Sequence, residues 1–221
     1  MSGPLVKVCC IRSLAEAKMA LQAGADLLGM VSEMPSGPGI ISLEKIAGIV
    51  AGLPGQTKTI LLSSKRSCKD ILDQHNFVKT WGIQLVDTLP EIELKKLRKR
   101  RPKTYLIQVI HVRGKEAVGE ALIYDNLVDS ILLDSGNPHN PKRTLGGTGE
   151  IHDWQISREI CARTSLPVFL AGGLKVENIS EAINLVQPHG VDLCSGVRTH
   201  GNLDREKLIS FMGCVREEQR K

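Results

Sequence analysis

Three short glycine-rich turns in the C-terminal part of the chain decide the fold: Leu145-Gly146-Gly147-Thr148-Gly149, Ala171-Gly172-Gly173-Leu174 and Cys194-Ser195-Gly196-Val197. Each lies where an apolar run gives way to polar sequence. Glycine allows positive φ and lets backbone N–H groups approach a ligand closely, and amides that converge near a helix N-terminus bind anions. Three such turns in succession predict one phosphate site at the end of a barrel. The alternative interpretation is three ordinary tight loops.

Outward from these turns, strands alternate with helices along the whole chain. Eight strand–helix units are predicted, and the seventh helix is expected over 176–186. Between the units there is no linker, and 221 residues, 42% of them hydrophobic, suit a barrel, which commonly has about 200 residues or more. The prediction is an α/β protein, a single (β/α)8 TIM barrel, in one domain spanning 1–221. Its strands are expected over 5–9, 26–31, 57–62, 82–86, 104–110, 130–134, 167–171 and 191–194.

Composition argues against several classes of partner. The net charge of +5 comes largely from the run 93–103, whose Leu94 and Leu97 have the spacing of an amphipathic helix with a solvated basic face. Only 3% of residues are aromatic, so platforms for stacking nucleic-acid bases are scarce. No apolar run is long enough to cross a bilayer and no signal peptide is evident. We therefore expect a cytoplasmic protein with no nucleic-acid or membrane partner.

The six cysteines form no CxxC pair and no zinc-site spacing. Reduced thiols are expected, most of them buried as small hydrophobic side chains.

Two reactive groups close predicted strands, where the chemistry of such barrels takes place. Cys9 ends the first strand and Asp134 the sixth, on opposite sides of an eight-stranded ring. A carboxylic acid that donates a proton and a thiolate that removes one suit the movement of hydrogen within a sugar. Asp192 on the eighth strand and Gln84 on the fourth are further polar groups, expected to point into the mouth of the barrel and bind the substrate. The alternatives are a buried hydrophobic thiol at Cys9 and a turn-capping carboxylate at Asp134.

The chain resembles the phosphoribosylanthranilate isomerase family of (β/α)8 enzymes in tryptophan biosynthesis. The resemblance covers nearly the whole chain. It is carried, in order, by Val6-Lys7-Val8-Cys9, Ala23-Gly24-Ala25-Asp26, Ile131-Leu132-Leu133-Asp134, Leu145-Gly146-Gly147-Thr148-Gly149, Asp153-Trp154, Phe169-Leu170-Ala171-Gly172-Gly173-Leu174, Glu177-Asn178, Gly190-Val191-Asp192 and Ser195-Gly196-Val197.

The resemblance implies an Amadori rearrangement of an N-linked phosphoribosyl anthranilate. Asp134 would be the general acid that opens the furanose ring, and Cys9 the general base that takes the C2′ proton. The turns at Gly147–Gly149, Gly172–Gly173 and Ser195–Gly196 would hold the phosphate, and Asp192 would face the substrate. No cofactor or metal is implied, and monomers and homodimers both occur in the family.

Departures from the family pattern lie mostly at the substrate end. Cys10 replaces a glycine, and the loop Ser36-Gly37-Pro38-Gly39 lacks the arginine that meets the anthranilate carboxylate. Gln84-Leu85-Val86-Asp87 lacks a histidine, Arg198 replaces a glutamate and Glu150 a lysine. Loss of a charge-assisted contact costs about 1.5–3 kcal/mol.

Three hypotheses follow. The first is the family reaction, with Arg198 or Arg12 substituting for the missing cation. The second keeps the acid–base chemistry for a different phosphorylated substrate. The third is a non-catalytic barrel that binds a phosphorylated metabolite, in which Cys9 and Cys10 form a redox-responsive pair, although adjacent cysteines rarely close a disulfide without strain.

Overall fold

A computed structural model describes residues 3–136 and 149–218. Eight parallel strands pair in chain order, and the first pairs with the last to close a barrel. The predicted fold class, a TIM barrel, is therefore confirmed. The strands are β1 Leu5–Val8, β2 Leu27–Val31, β3 Lys58–Ser63, β4 Gly82–Leu85, β5 Tyr105–His111, β6 Ser130–Asp134, β7 Val168–Leu170 and β8 Gly190–Leu193.

Helices follow the strands and pack around the ring. The first shows how local sequence sets their ends: the Ser13 hydroxyl accepts a hydrogen bond from the Glu16 N–H, and Gly24 ends the helix with φ of 103°. The helices are α1 Leu14–Ala23, α2 Leu43–Ala51, α3 Cys68–Val78, α4 Glu91–Arg100, α5 Glu116–Ile123, α6 Trp154–Arg163, α7 Ile179–Val186 and α8 Arg205–Glu218. Within the described ranges, no helix is both long and apolar enough to span a membrane.

Alternation along the strands separates two cores. Val6 and Val8 belong to the cluster between strands and helices, whereas Leu5 and Cys9 belong to the cluster inside the barrel. Successive side chains of a strand point to opposite faces, so Lys7 lies on the inner face of β1. One face of each strand thus builds the packing with the helices, and the other carries the groups that reach the mouth of the barrel.

The seventh helix begins at Ile179, so the predicted start at Val176 is wrong. The reason is a local turn: the Lys175 N–H donates to Asn178 Oδ1 at 2.9 Å, and Asn178 Nδ2 donates to the Gly173 carbonyl at 3.0 Å. The asparagine side chain replaces backbone hydrogen bonds there, as Asn commonly does in turns.

A small antiparallel hairpin that was not predicted follows β8. Its strands are β9 Arg198–Thr199 and β10 Asn202–Leu203, joined through His200 and Gly201. Both linking residues have positive φ, 49° and 76°. Two-residue strands leave too little alternation in the sequence to be recognised.

Candidate active site

An open cavity lies at the carboxyl ends of the strands, the end where barrels of this kind place their active sites. The walls combine apolar side chains with a few polar groups and the predicted turns. The lining residues include Cys9, Cys10, Val31, Met34, Leu62, Gln84, Val86, Leu132, Asp134, Gly149, Gly172, Gly173, Asp192, Cys194 and Ser195.

Cys9 and Asp134 both line this cavity. The Cys9 N–H donates to the Leu193 carbonyl at 2.8 Å, which fixes the residue at the end of β1, and its side chain is buried. Asp134 is the last residue of β6, and burial raises its pKa to about 6. The barrel therefore brings together a thiol and a carboxylic acid that takes up a proton near neutral pH, as predicted from their positions at strand ends.

Lys7 is a functional candidate that sequence reasoning missed. Its side chain is fully buried, and Nζ lies 2.8 Å from Oδ1 of Asp192, its register partner on β8. Although burial alone would lower the pKa of Lys7, the neighbouring carboxylate holds it above its usual value. The signal was present in the sequence, since Lys7 alternates with Leu5 and Cys9 on the inner face of the first strand.

Gly29 on β2 leaves room for these two groups. A Cβ atom added to Gly29 would lie 3.1 Å from Cys9 Sγ and 3.2 Å from Lys7 Nζ. The ammonium group and the thiol therefore flank the same small space inside the barrel.

The described parts of the three glycine-rich turns converge. Gly149, Gly172 and Gly173 have φ of 73°, 78° and 62°, values that favour glycine. A Cβ on Gly149 would lie 3.6 Å from Ser195 Oγ, and one on Gly173 would lie 2.9 Å from the Gly149 carbonyl oxygen. The turns thus surround one end of the cavity. Gly147 and Thr148, also predicted to bind phosphate, lie outside the described residues.

Close backbone packing explains the glycine that follows Ser195. A Cβ on Gly196 would collide with the carbonyl oxygen of Leu174, at the end of the neighbouring turn. Only glycine lets these two loops approach so closely.

Gln84 points its amide into the barrel. It is buried on β4 and lines the cavity, and its Oε1 has no hydrogen-bond partner among the described residues. A buried polar atom without a partner is costly, which marks this oxygen as a group able to accept a hydrogen bond from a ligand.

Arg198 does not line this cavity but lines, with Arg12, a second cavity beside it. Its Nη1 is 3.1 Å from Glu16 Oε1, and its Nη2 donates to the carbonyls of Cys9 and Cys10 at 3.2 and 2.6 Å. Despite burial, hydrogen bonding to Arg198 holds the pKa of Glu16 below its usual value. The structure therefore places Arg198 where it supports the backbone around Cys9.

Arg12, the other cation considered, is also engaged. Its Nη2 donates to Asn202 Oδ1 at 3.0 Å and to the Gly201 carbonyl. Among the described residues that line the cavity with Cys9 and Asp134 there is no lysine or arginine.

Comparisons with known proteins agree with this geometry. The family model for N-(5′-phosphoribosyl)anthranilate isomerase matches residues 6–213. A relative from Methanosarcina acetivorans, named N-(5′-phosphoribosyl)anthranilate isomerase, is 36% identical over 96% of this chain and 92% of its own length. The chain belongs to the phosphoribosylanthranilate isomerase family.

Relatives and solved structures in this family cover nearly the whole chain. The isomerase from Nostoc punctiforme is 35% identical over 92% of this chain and 94% of its own length. The crystal structure of phosphoribosyl anthranilate isomerase from Thermotoga maritima is 28% identical, with a TM-score of 0.83 over 97% of this chain and 99% of that one.

One solved phosphoribosyl anthranilate isomerase is a complex with reduced 1-(o-carboxyphenylamino)-1-deoxyribulose 5-phosphate. It is 26% identical to this chain, with a TM-score of 0.80 over 97% of this chain and 99% of that one. The match to the family thus extends over the strands that carry Cys9 and Asp134 and over the described glycine-rich turns.

Proposed function

We propose that this chain, an isomerase of tryptophan biosynthesis by its family, converts N-(5′-phosphoribosyl)anthranilate into the corresponding 1-amino-1-deoxyribulose phosphate. The observation that carries the proposal is the placing of Cys9 and Asp134 on one cavity beside the glycine-rich turns. The rearrangement is redox-neutral overall, because C2′ is oxidised as C1′ is reduced, and it therefore requires no redox cofactor.

Asp134 is the general acid in this proposal. Its protonated carboxyl donates to the furanose ring oxygen, the ring C–O bond breaks, and the nitrogen lone pair forms a protonated imine at C1′. Burial raises the pKa of Asp134 to about 6, and an acid with a pKa near the working pH is effective in both donating and recovering a proton.

Cys9 is the general base. As a thiolate it removes the C2′ proton, the C–H electrons form the C1′–C2′ double bond, and the C=N electrons return to the positively charged nitrogen. The resulting enolamine tautomerises to the ketone. The Lys7 ammonium group, beside Cys9 at the space left by Gly29, stabilises the thiolate and is itself held by Asp192.

The substrate phosphate binds to the backbone amides of the three turns. Gly149, Gly172 and Gly173 and the Ser195–Gly196 turn surround that end of the cavity, and Gly147 and Thr148 belong to the same proposal. Backbone N–H groups that converge in this way bind anions without a basic side chain. Asp192 and Gln84 face the sugar, and Arg198 contributes by holding the carbonyls of Cys9 and Cys10.

A second candidate is the same reaction on a phosphoribosyl-amine whose other part carries no carboxylate. The observation in its favour is that the described residues of the cavity wall include no lysine or arginine, and that Val86 and Met34 supply apolar surface. In this case the acid, the base and the phosphate turns keep the same roles.

Turnover of freshly generated phosphoribosyl anthranilate tests the proposal, with loss of anthranilate-type fluorescence as the readout. We expect activity in the wild type and a loss of at least about a thousandfold in Cys9→Ala and in Asp134→Asn, since each removes a proton-transfer group. Cys214→Ala and Asp73→Asn, on the outer helices, are the matched controls and should retain activity.

Two results would contradict the assignment. Full activity in either active-site variant would remove the role given to that residue. No turnover by the wild type, with inorganic phosphate still raising the melting temperature, would favour the second candidate. Growth of a tryptophan auxotroph that lacks the isomerase gives an independent readout. We further expect a cytoplasmic protein that is a monomer or a homodimer.

A further inference from the structure

Three thiols meet where β1 and β8 end side by side. Val8 pairs with Leu193 in the barrel, so the residues that follow them, Cys9 and Cys10 on one side and Cys194 on the other, are neighbours. The Sγ atoms of Cys10 and Cys194 are hydrogen-bonded and 2.7 Å apart, and the Cys10 thiol also contacts that of Cys9. Among the described residues, no group of three cysteine, histidine or acidic side chains is arranged to hold a metal ion.

We propose that Cys10 and Cys194 form a reversible disulfide on reaction with a peroxide, and that this bond lowers turnover at the adjoining site. The bond itself is independent of the proposed function, whereas its effect on turnover rests on that function.

The geometry requires little movement. A disulfide bond is about 2.05 Å long, so the two sulfur atoms need to approach by less than ~1 Å. Cys10 has φ of 62°, a conformation that favours glycine, and its Cβ packs against the backbone of Gly39. The backbone on both sides thus keeps the Cys10 side chain in place next to Cys194.

The two thiols differ in a way that suits this chemistry. Hydrogen bonding to Cys10, together with the charge of Arg198, holds the pKa of Cys194 below its usual value, whereas the same hydrogen bond raises the pKa of Cys10. Cys194 is therefore the thiol that ionises first and attacks. Cys194 and Cys10 line the candidate active-site cavity and also a second cavity beside it, so a small oxidant can reach them.

The reaction balances with hydrogen peroxide as the oxidant. The Cys194 thiolate attacks one peroxide oxygen, the O–O bond breaks, and a sulfenic acid and hydroxide form. The Cys10 sulfur then attacks the Cys194 sulfur, the S–O bond breaks, and the departing hydroxide takes the Cys10 proton. Two thiols and one peroxide thus give one disulfide and two waters, and a dithiol reductant reverses the change.

The disulfide bond would affect both the Ser195–Gly196 turn and the strand end that carries Cys9. Cys194 directly precedes the Ser195–Gly196 phosphate turn, and Cys10 directly follows Cys9. A covalent link between them ties the phosphate turn to the strand end that carries the base, and it alters the Cys10 thiol that contacts Cys9. We therefore expect slower turnover in the oxidised form.

Peptide mapping of the whole protein tests the proposal. The protein is treated with hydrogen peroxide, free thiols are alkylated, and trypsin is applied without reductant. Cys9 and Cys10 lie in peptide 8–12 and Cys194 lies in peptide 176–198. We expect these two peptides to be linked, isomerase turnover to fall at least fivefold in step with the linked fraction, and dithiothreitol to restore both.

Variants identify the cysteine that forms the bond. The link should persist in Cys9→Ala and disappear in Cys10→Gly and in Cys194→Ser, with circular dichroism showing that each variant is folded. Cys214→Ser, on helix α8, is the matched control and should retain the link. In the wild type, dithiothreitol should restore the turnover that is lost on peroxide treatment. In Cys10→Gly, this reversible loss of turnover should be absent.

Several results would overturn the proposal. A link that survives in Cys10→Gly would show that Cys9 is the partner, and peroxide treatment that oxidises Cys9 without linking the peptides would exclude the disulfide. A link that leaves turnover unchanged would exclude the regulatory effect. The peptide readout needs no turnover, so failure of the proposed isomerase reaction and failure of the disulfide are separate results.

Discussion

Lys7 Nζ lies 2.8 Å from Asp192 Oδ1 inside the barrel, and the lysine side chain has no solvent exposure. The two residues are register partners on strands that are neighbours only because the barrel closes. Their ion pair therefore forms only when the barrel is closed, and it also places a positive charge next to Cys9.

Removal of one partner should be more harmful than removal of both. In Lys7→Met, Asp192 remains buried without its cation, and we expect a loss of about 3–5 kcal/mol in the free energy of unfolding. The double variant Lys7→Met/Asp192→Asn should be more stable than the single variant, because no charge is left unpaired. Urea denaturation of both variants measures the difference.

Turnover measurements distinguish the effect of the Lys7–Asp192 ion pair on stability from its effect on the reaction. We expect turnover to stay low in the double variant even where stability recovers, because the charge beside Cys9 is absent. Lys96→Met, which breaks an exposed pair with Glu93 on helix α4, is the matched control and should leave both stability and turnover near the wild-type values. Equal stability in the single and double variants would contradict the coupling.

The buried Asp134 carboxylate should lower the free energy of unfolding at neutral pH. Its native pKa of about 6 exceeds that of an unfolded chain, about 3.9. Between these values the native state keeps a proton that the unfolded state has lost, so the free energy of unfolding falls as pH rises, and above pH 6 the full cost is present.

Asp134→Asn removes that cost, since the amide has the same shape and no charge. At pH 7 the variant should therefore be more stable than the wild type by about 1–3 kcal/mol. At pH 4 the difference should vanish. Urea denaturation at the two pH values measures it, and a variant that is less stable at pH 7 would show that the carboxylate has favourable contacts outweighing its burial.

The pH dependence of kcat/KM should show the same group. Asp134 acts as an acid only when it is protonated, so kcat/KM should fall about tenfold per pH unit above the pKa of about 6. Steady-state kinetics across about pH 5 to 8.5 test this, with circular dichroism at each pH to exclude unfolding. A profile that stays flat to pH 8 would show that the free enzyme does not need the Asp134 proton.

The turn at Ser195–Gly196 should tolerate no side chain at its second residue. In Gly196→Ala, the new methyl group collides with the Leu174 carbonyl oxygen, so the turn must move. Its backbone N–H groups then no longer point at the proposed phosphate position. We expect KM to rise about tenfold or more, the cost of one lost hydrogen bond to a charged group. The stabilisation by inorganic phosphate should weaken as well.

Gly213→Ala is the control for this substitution. Gly213 lies within helix α8, and a Cβ there meets nothing within 4 Å. Because alanine is the better helix former by about 1 kcal/mol, this variant should be as stable as the wild type or more stable, with unchanged KM. An unchanged KM in Gly196→Ala would remove the Ser195–Gly196 turn from the phosphate site.

The sequence predicted the barrel because the information lies in local patterns. Eight apolar runs alternate with amphipathic helices, and helix signals such as Ser13 with Glu16 and Gly24 are contained within a few residues. Cys9 and Asp134 could be placed at the mouth for the same reason: the end of a strand is a local property, and parallel strands all end on one face.

Contacts between distant parts of the chain could not be predicted in this way. The Cys10 and Cys194 thiols are 184 positions apart and Arg198 is 182 positions from Glu16. They meet only when β8 returns to pair with β1. Arg198 illustrates the consequence: its charge suggested a substrate contact, whereas its hydrogen bonds go to Glu16 and to the backbone around Cys9.

Gly29 gives a test of the space between Lys7 and Cys9. In Gly29→Ala the new methyl group would lie 3.1 Å from Cys9 Sγ, 3.2 Å from Lys7 Nζ and 3.2 Å from Leu62 Cδ1. Each neighbour must move by a few tenths of an ångström, and overpacking of this kind typically costs about 1–3 kcal/mol. Because Sγ and Nζ shift relative to each other and to the substrate C2′ proton, we expect kcat to fall about tenfold or more.

Separate measurement of kcat and KM for Gly29→Ala shows whether the space at Gly29 matters for the transition state or for substrate binding. The atoms nearest to a Cβ on Gly29 belong to Cys9, Leu62 and Lys7 and not to the described parts of the glycine-rich turns. KM should therefore change little, as expected when an interaction of the transition state alone is disturbed. Gly48→Ala on helix α2, where a Cβ meets nothing within 4 Å, should leave both constants unchanged. A rise in KM with constant kcat in Gly29→Ala would instead show that this space binds the substrate in its ground state and that the thiol keeps its position.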